Sequence, residues 1–357
     1  MMDNEKPALP APVPQAQVSE MQAHATENWG LVGHEWAVDM LRQQILHDSV
    51  RHAYLFTGPP GLGRRTLGLR FAQALTCATP VAPAVPCGAC RTCKQIEAMQ
   101  YTDLAVVQAE NEGGTLKVEQ IRLVRQSLVL KPYQGNYRLA LFLRFQEANA
   151  SAANALLKTL EEAPPHAILI LTADSAGQLL PTIVSRCEIL RLRPLPVEAV
   201  ESALKAHRAD VPQARLLAHL SGGRPGYAFR LLGDPSTLDF QRERLDDLHR
   251  LLSATRAEKF AYAAKLTDRR NEARERFRDT LLIWLTYWRD VLLSASGSSA
   301  PLVNVDRLGE IKALAARLGL PSARRMVEAA EKTVEQLEKN VNPRLLSEVL
   351  LLDLPHG

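Results

Sequence analysis

The sequence predicts a parallel α/β sheet domain of the phosphate-loop type, with an inserted four-cysteine zinc module. A small helical domain and an all-helical C-terminal domain follow. Three observations predict this: apolar runs alternate with helical segments, a glycine-rich loop directly follows the first run, and Cys77, Cys87, Cys90 and Cys93 form a tight cluster. Strands alternating with helices argue for a parallel sheet, and runs that are apolar throughout argue that both faces are covered.

A length of 357 residues allows two or three domains at about 150 residues each. An apolar fraction of 46% with 23% charged residues excludes a disordered or membrane-embedded chain. Lys and Arg exceed Asp and Glu by 43 to 39, and a net +4 does not advertise nucleic-acid binding by itself. No apolar run approaches the roughly 18 residues of a membrane span. The start, MMDNEKPALP, lacks the basic and apolar regions of a secretory signal, so the expected location is the cytoplasm.

Residues 1–27 mix Pro, Ala, Gln and Val without period and are expected to be a disordered leader. The α/β domain is expected over 28–193, with strands at Tyr54–Thr57, Leu104–Val107, Leu139–Leu143, Ile168–Leu171 and Ile189–Leu190. Arg193-Pro194-Leu195-Pro196 interrupts regular structure, and 194–235 reads as three short helices. From 236 to 357 no strand is expected. There Phe277, Leu281, Trp284, Leu285, Trp288 and Leu292 share one helical stripe, read as core or subunit contact and not as a cofactor box.

After the first strand comes Gly58-Pro59-Pro60-Gly61-Leu62-Gly63-Arg64-Arg65-Thr66, followed by a helical run from Leu67. Strand, glycine loop and helix start make a phosphate cradle, because backbone N–H groups and the helix dipole converge on an anion. The full pattern needs Lys and then Ser or Thr after the last glycine, and here those places hold Arg64 and Arg65. A guanidinium is a planar fork and not a compact ammonium, and Arg65 cannot ligate magnesium. Thr66 sits one residue late. An Asp-Glu pair should also close an apolar strand to hold the metal, yet Leu139–Leu143 runs into Arg144-Phe145-Gln146-Glu147. Little or no hydrolysis by the chain alone is expected, with ATP not bound productively.

The cysteines have the spacing C-x9-C-x2-C-x2-C. Short C-x2-C turns present two thiolates to one ion, so Cys77, Cys87, Cys90 and Cys93 are expected to hold a structural zinc. Four cysteine ligands leave no open position for substrate. Cys187 stands apart and reads as a small buried hydrophobe. His34, His52 and His166 show no metal spacing and read as local hydrogen-bonding residues.

Two further strings, Asn154-Ala-Leu-Leu-Lys-Thr-Leu-Glu-Glu-Ala-Pro-Pro165 and Pro181-Thr-Ile-Val-Ser-Arg-Cys187, together with Arg51–Phe56 and Val118–Arg122, closely resemble bacterial clamp-loader subunits of the AAA+ class. The resemblance spans most of residues 29 to 193, and the C-terminal third matches only in character. It implies an AAA+ domain over 28–193, a lid over 194–235 and an oligomerisation collar over 236–357. It also implies a hetero-pentameric ring with an ATP-binding motor subunit and a delta subunit as partners. Such an assembly would load a sliding clamp on primed DNA, without membrane contact. The family's loop Lys and Thr fall on Arg64 and Arg65, its strand-end acids on Leu143 and Arg144, and its second sensor arginine on Gly226. Thr172 matches the first sensor threonine. These departures favour a non-motor subunit. By the same resemblance Arg186 is the arginine finger that reaches a neighbour's ATP, where a guanidinium meets charge developing on the transferring phosphoryl group. An internal ion pair is its alternative role.

Two rivals remain at this point. An ATP-hydrolysing motor subunit would show magnesium-dependent turnover on its own. A zinc-finger module binding nucleic acid or protein would lose binding when exposed residues of Cys87–Cys93 change while the metal stays. Lys158, Glu161 and Glu162 lie on an amphipathic helix with Leu156, Leu157 and Leu160 inward, and are expected to be solvated or at a subunit interface.

Overall fold

The computed structural model describes residues 28–110, 114–268, 273–339 and 341–355, so the expected leader, 1–27, lies outside the described residues. They fall into two compact units. The first takes in 28–57, 63–108 and 116–192; the second takes in 58–62, 109–110, 114–115 and 193–355.

The first unit is the predicted parallel sheet. Its strands are β1 (Ala53–Thr57), β2 (Leu104–Val107), β3 (Arg138–Phe142), β4 (Ala167–Ala173) and β5 (Glu188–Arg191), in the order β2-β3-β4-β1-β5. All pairs are parallel, with Leu55 opposite Leu171 and Ile189, and Leu141 opposite Ile170 and Val106. Every residue of β1 and β4 is buried, as helices on both faces require. Helices α1 (Glu35–Leu46), α2 (Arg64–Thr76), α3 (Arg91–Glu97), α4 (Val118–Val129), α5 (Ala150–Glu161) and the single turn α6 (Pro181–Val184) supply the connections. The first helix after the glycine loop starts three residues earlier than its apolar run suggests, because Gly63 at φ +92° lets Arg64 begin the first turn. β3 ends at Phe142, one residue short of expectation, because Arg144 turns the chain through the left-handed region at φ +52°. The loops that leave the carboxyl ends of β1, β3 and β4 carry Gly58–Thr66, Arg144 and Asp174, the usual place for a ligand in such a sheet.

Asp103, just before β2, organises the opposite edge. Its fully buried carboxylate accepts the N–H groups of Tyr133, Gln134 and Gly135 at 2.8, 2.7 and 3.3 Å and pairs with Arg138 at 3.0 Å. Asp103→Ala leaves three donors and a half-sequestered guanidinium without their acceptor. It should destabilise the chain by about 3–5 kcal/mol in a urea titration, the range for breaking one side of a buried pair. A loss well under 1 kcal/mol would show that water replaces the carboxylate.

The second unit is helical, as predicted. Helices α7 (Val197–Ala206), α8 (Val211–Leu220) and α9 (Pro225–Gly233) surround a small core that includes Leu204, Leu217 and Leu231. A separate, larger core unites α10 (Pro235–Leu252), α11 (Arg256–Leu266), α12 (Ala273–Ala295), α13 (Leu308–Glu338, broken at Gly319 before Pro321) and α14 (Pro343–Asp353). Most of the predicted stripe lies in this core: Phe277, Leu281, Trp284 and Trp288 are buried and Leu292 packs against them, while Leu285 is half-buried and is not part of it. The Trp284 indole N–H also donates to the Arg244 carbonyl at 2.8 Å. Asp290 plays the part of Asp103 here, its buried carboxylate accepting from the backbone of Val303 and Asn304 and from the Asn304 side-chain amide. Among the described residues no helix is long and apolar enough to cross a membrane.

Candidate functional site

Glycine makes the loop after β1 possible: Gly58, Gly61 and Gly63 have φ of +141°, +88° and +92°, where a side chain would be strained. Arg64 occupies the lysine position at the start of α2, and its side chain runs into the protein. It is 8% exposed, and its Nη2 donates to Asp174 Oδ1 at 2.7 Å, just past β4. The guanidinium therefore spends one edge on a carboxylate of its own chain, while Nη1 is buried without a hydrogen bond. Arg65 and Thr66 face outward on the first turn.

At the end of β3, Leu143 is buried and Arg144 occupies the second acid position. The Arg144 Nε donates to Glu147 at 2.8 Å, and its backbone N–H donates to the Thr172 hydroxyl at 2.9 Å. That hydroxyl in turn donates to the Phe142 carbonyl at 3.3 Å. Thr172 thus braces the turn at the end of β3.

Gly226, expected from the resemblance at the place of a second sensor arginine, packs against the glycine loop. Its N–H donates to the Gly61 carbonyl at 2.8 Å, and a Cβ built on it would lie 2.9 Å from that oxygen. An arginine at this position would have to displace the loop backbone. Glycine lets the loop dock against the start of α9 instead.

Arg186 follows α6 in a turn and is 36% exposed. Its Nη2 donates to Glu161 Oε1 at 2.8 Å and its Nη1 to the Thr182 carbonyl at 2.9 Å. The internal ion pair is therefore present, on a surface where Glu161 is itself half-exposed. Exposed pairs are worth about 0–1 kcal/mol, so the guanidinium is held but not locked. Lys158 on α5 and Glu162 just past its end are exposed, while Leu156 and Leu160 are buried.

The four cysteines converge. Cys77 caps the end of α2, Cys90 caps the start of α3, and Cys93 sits in the first turn of α3. All four Sγ atoms lie within 4.8 Å of one another, with Cys77–Cys87 at 3.6 Å, Cys77–Cys90 at 3.9 Å and Cys87–Cys93 at 4.0 Å. Tetrahedral zinc with Zn–S bonds of about 2.3 Å requires S···S separations of about 3.8 Å. Backbone N–H groups of Cys87, Cys90 and Cys93 donate to Cys77, Cys87 and Cys90 Sγ at 3.4, 3.2 and 3.4 Å, the support thiolates need. The Thr79 hydroxyl, with the Cys90 and Ala89 N–H groups adding, pushes the Cys87 thiol down to about 6; burial pushes Cys77 and Cys93 up. The donor set fits a metal ion. Cys187 packs partly buried against the sheet core, where burial pushes its thiol up to about 12. His52 and His166 bond backbone carbonyls, Leu160 at 3.1 Å and Leu130 at 3.0 Å, as expected.

Asp174 and the Gly226–Gly61 contact escaped the sequence. An acid directly after the apolar run ending at Ala173 was the available signal for Asp174; the glycine contact leaves none, because it pairs two distant backbones.

The family described as DNA polymerase III, delta subunit, matches residues 33–196, and its C-terminal counterpart matches 241–356. The chain is 29% identical over 318 residues to DNA polymerase III subunit delta' of Bacillus subtilis, covering 89% of this chain and 95% of that protein. It is 37% identical over 185 residues to subunit delta' of Pseudomonas aeruginosa, covering 51% and 56%. Against subunit tau of Escherichia coli it is 33% identical over 199 residues, covering 54% of this chain and 30% of that protein.

Proposed function

Because the chain belongs to the DNA polymerase III delta-subunit family, within the clamp-loader group, we propose that it is a delta prime-type, non-motor subunit of the bacterial clamp loader. The observation that carries this is Arg64. The residue that should reach a nucleotide's terminal phosphates is instead buried and bound to Asp174. Leu143 and Arg144 at the strand end in the first unit, and Gly226 against Gly61 in the second, support the same conclusion. The chain would then act through the ring, beside an ATP-binding motor subunit whose site Arg186 completes, and would serve clamp loading on primed DNA in the cytoplasm. The α/β domain (28–193), lid (194–235) and collar (236–357) divide this work, and Cys77, Cys87, Cys90 and Cys93 hold a structural zinc.

Magnesium-dependent ATP turnover tests the proposal. The purified chain should hydrolyse ATP no faster than buffer. The motor subunit should turn over faster with this chain than without it, in the presence of clamp and primed DNA. Turnover by the chain alone would identify it as a motor.

A further inference from the structure

A cleft of about 630 Å³ opens within the second unit, bounded by α9, α10 and α12. Such a volume suits a small molecule. One wall is cationic. The Arg224 guanidinium lies 4.6 Å from the centroid of the Tyr227 ring and Arg230 lies 5.5 Å from it, so two positive charges share this ring. The Tyr227 hydroxyl is anchored to Gln241 at 3.2 Å, and Arg224 Nε donates to the Ser221 carbonyl at 2.8 Å. Arg276 comes from α12. Among the described residues, none of Arg224, Arg230 and Arg276 has a carboxylate within ion-pair distance, and the terminal nitrogens of all three make no hydrogen bond. Burial pushes Arg224 below the usual arginine range, and the Arg230 charge adds to this. The other part of the lining is apolar: Leu220, Phe240, Leu282 and Ile283.

We propose that this cleft binds a nucleoside polyphosphate, with its phosphates on Arg224, Arg230 and Arg276 and its base on the apolar floor around Phe240 and Ile283. Guanidinium forks match phosphate oxygens in pairs, and three of them without an ion-pair partner suit an anion of more than one charge. The apolar floor gives a ring a place that a bare anion would not use. Arg278, Glu275 and Asp279 also line the cleft, and helical spacing sets the two acids between Arg276 and Arg278 on α12. The site goes beyond the clamp-loader reading and does not depend on it.

Calorimetric titration of the full chain with ATP and with GTP, in magnesium-free buffer, tests this, with inorganic tripolyphosphate as the comparison. At least one nucleotide should bind saturably at one site per chain and more tightly than tripolyphosphate. Arg224→Gln and Arg230→Gln should each weaken it about tenfold or more, as loss of a charged hydrogen bond does. Arg65→Ala, in the glycine loop, should leave it unchanged. Arg230 is exposed, so its variant keeps the test valid if Arg224→Gln fails to fold. Absence of saturation overturns the site. Loss with Arg65→Ala and retention in both cleft variants overturns it in favour of the glycine loop. Equal affinity for tripolyphosphate overturns the nucleoside assignment.

Discussion

Arg186→Ala should lower DNA- and clamp-stimulated ATP turnover by the assembled motor subunit by roughly 10³-fold or more, the range for an arginine finger supplied in trans. The chain's own stability should change by no more than about 1 kcal/mol, because the Glu161 pair it loses is solvent-exposed. These two numbers separate the finger from a fold-supporting residue. If Arg186 only braces α5 against the turn after α6, then Arg186→Ala and Glu161→Gln both remove the ion pair, the former also losing the bond to the Thr182 carbonyl, and both should show small stability losses and normal turnover. If Arg186 is the finger, Glu161→Gln frees it from a competing partner. Turnover should then stay within a few-fold of wild type while Arg186→Ala collapses it. Arg186→Lys completes the set: it keeps the charge but not the planar fork, and should recover little of the loss. Assembly of the ring must be equal across variants, read by gel filtration. Unchanged turnover with Arg186→Ala in an intact ring would sink the assignment.

The parallel sheet was legible because its strands are buried on both faces, so Leu139–Phe142 and Ile168–Leu171 read as unbroken apolar runs. The helical stripe from Phe277 to Trp288 was legible because a single helix presents it to a single core. Cysteine spacing carried the convergence of the four sulfurs, since two short turns dictate where they point. What stayed hidden depends on partners far apart in sequence. Arg64 reads as a damaged lysine, but only Asp174, more than a hundred residues away, turns its side chain inward. Gly226 reads as a missing arginine, and only the approach of the Gly61 carbonyl explains why nothing larger fits. Nothing in the sequence singles out Asp103 or Asp290, because the backbone donors they serve carry no side-chain signature.

Removing the metal should have the second large effect, and a local one. Zinc analysis should find about one ion per chain, and Cys90→Ser should lower that occupancy sharply. The cluster ties the end of α2 to α3, a helix of only seven residues that cannot persist on its own propensity. Other contacts share the load. Gln73 Nε2 donates to the Cys93 carbonyl at 2.8 Å, Arg70 pairs with Glu97 at 2.8 Å, and the Trp29 indole N–H donates to the Ala84 carbonyl at 2.9 Å. These are single hydrogen bonds or an exposed pair, worth about 1 kcal/mol each, against zinc binding on the order of 10 kcal/mol in isolated Cys-rich peptides. Without the ion, four thiols would crowd within 4.8 Å and Cys93 would be buried beside its neighbours with nothing to bridge them. Chelation should therefore open residues 77–97 to hydrogen exchange and proteolysis, while β1, β3 and β4 keep their protection. If protection across 77–97 is the same with and without metal, the hydrogen bonds alone hold the module. If the whole sheet melts on chelation, the ion supports the unit globally, and the cluster belongs to the core of the fold and not to an appended module.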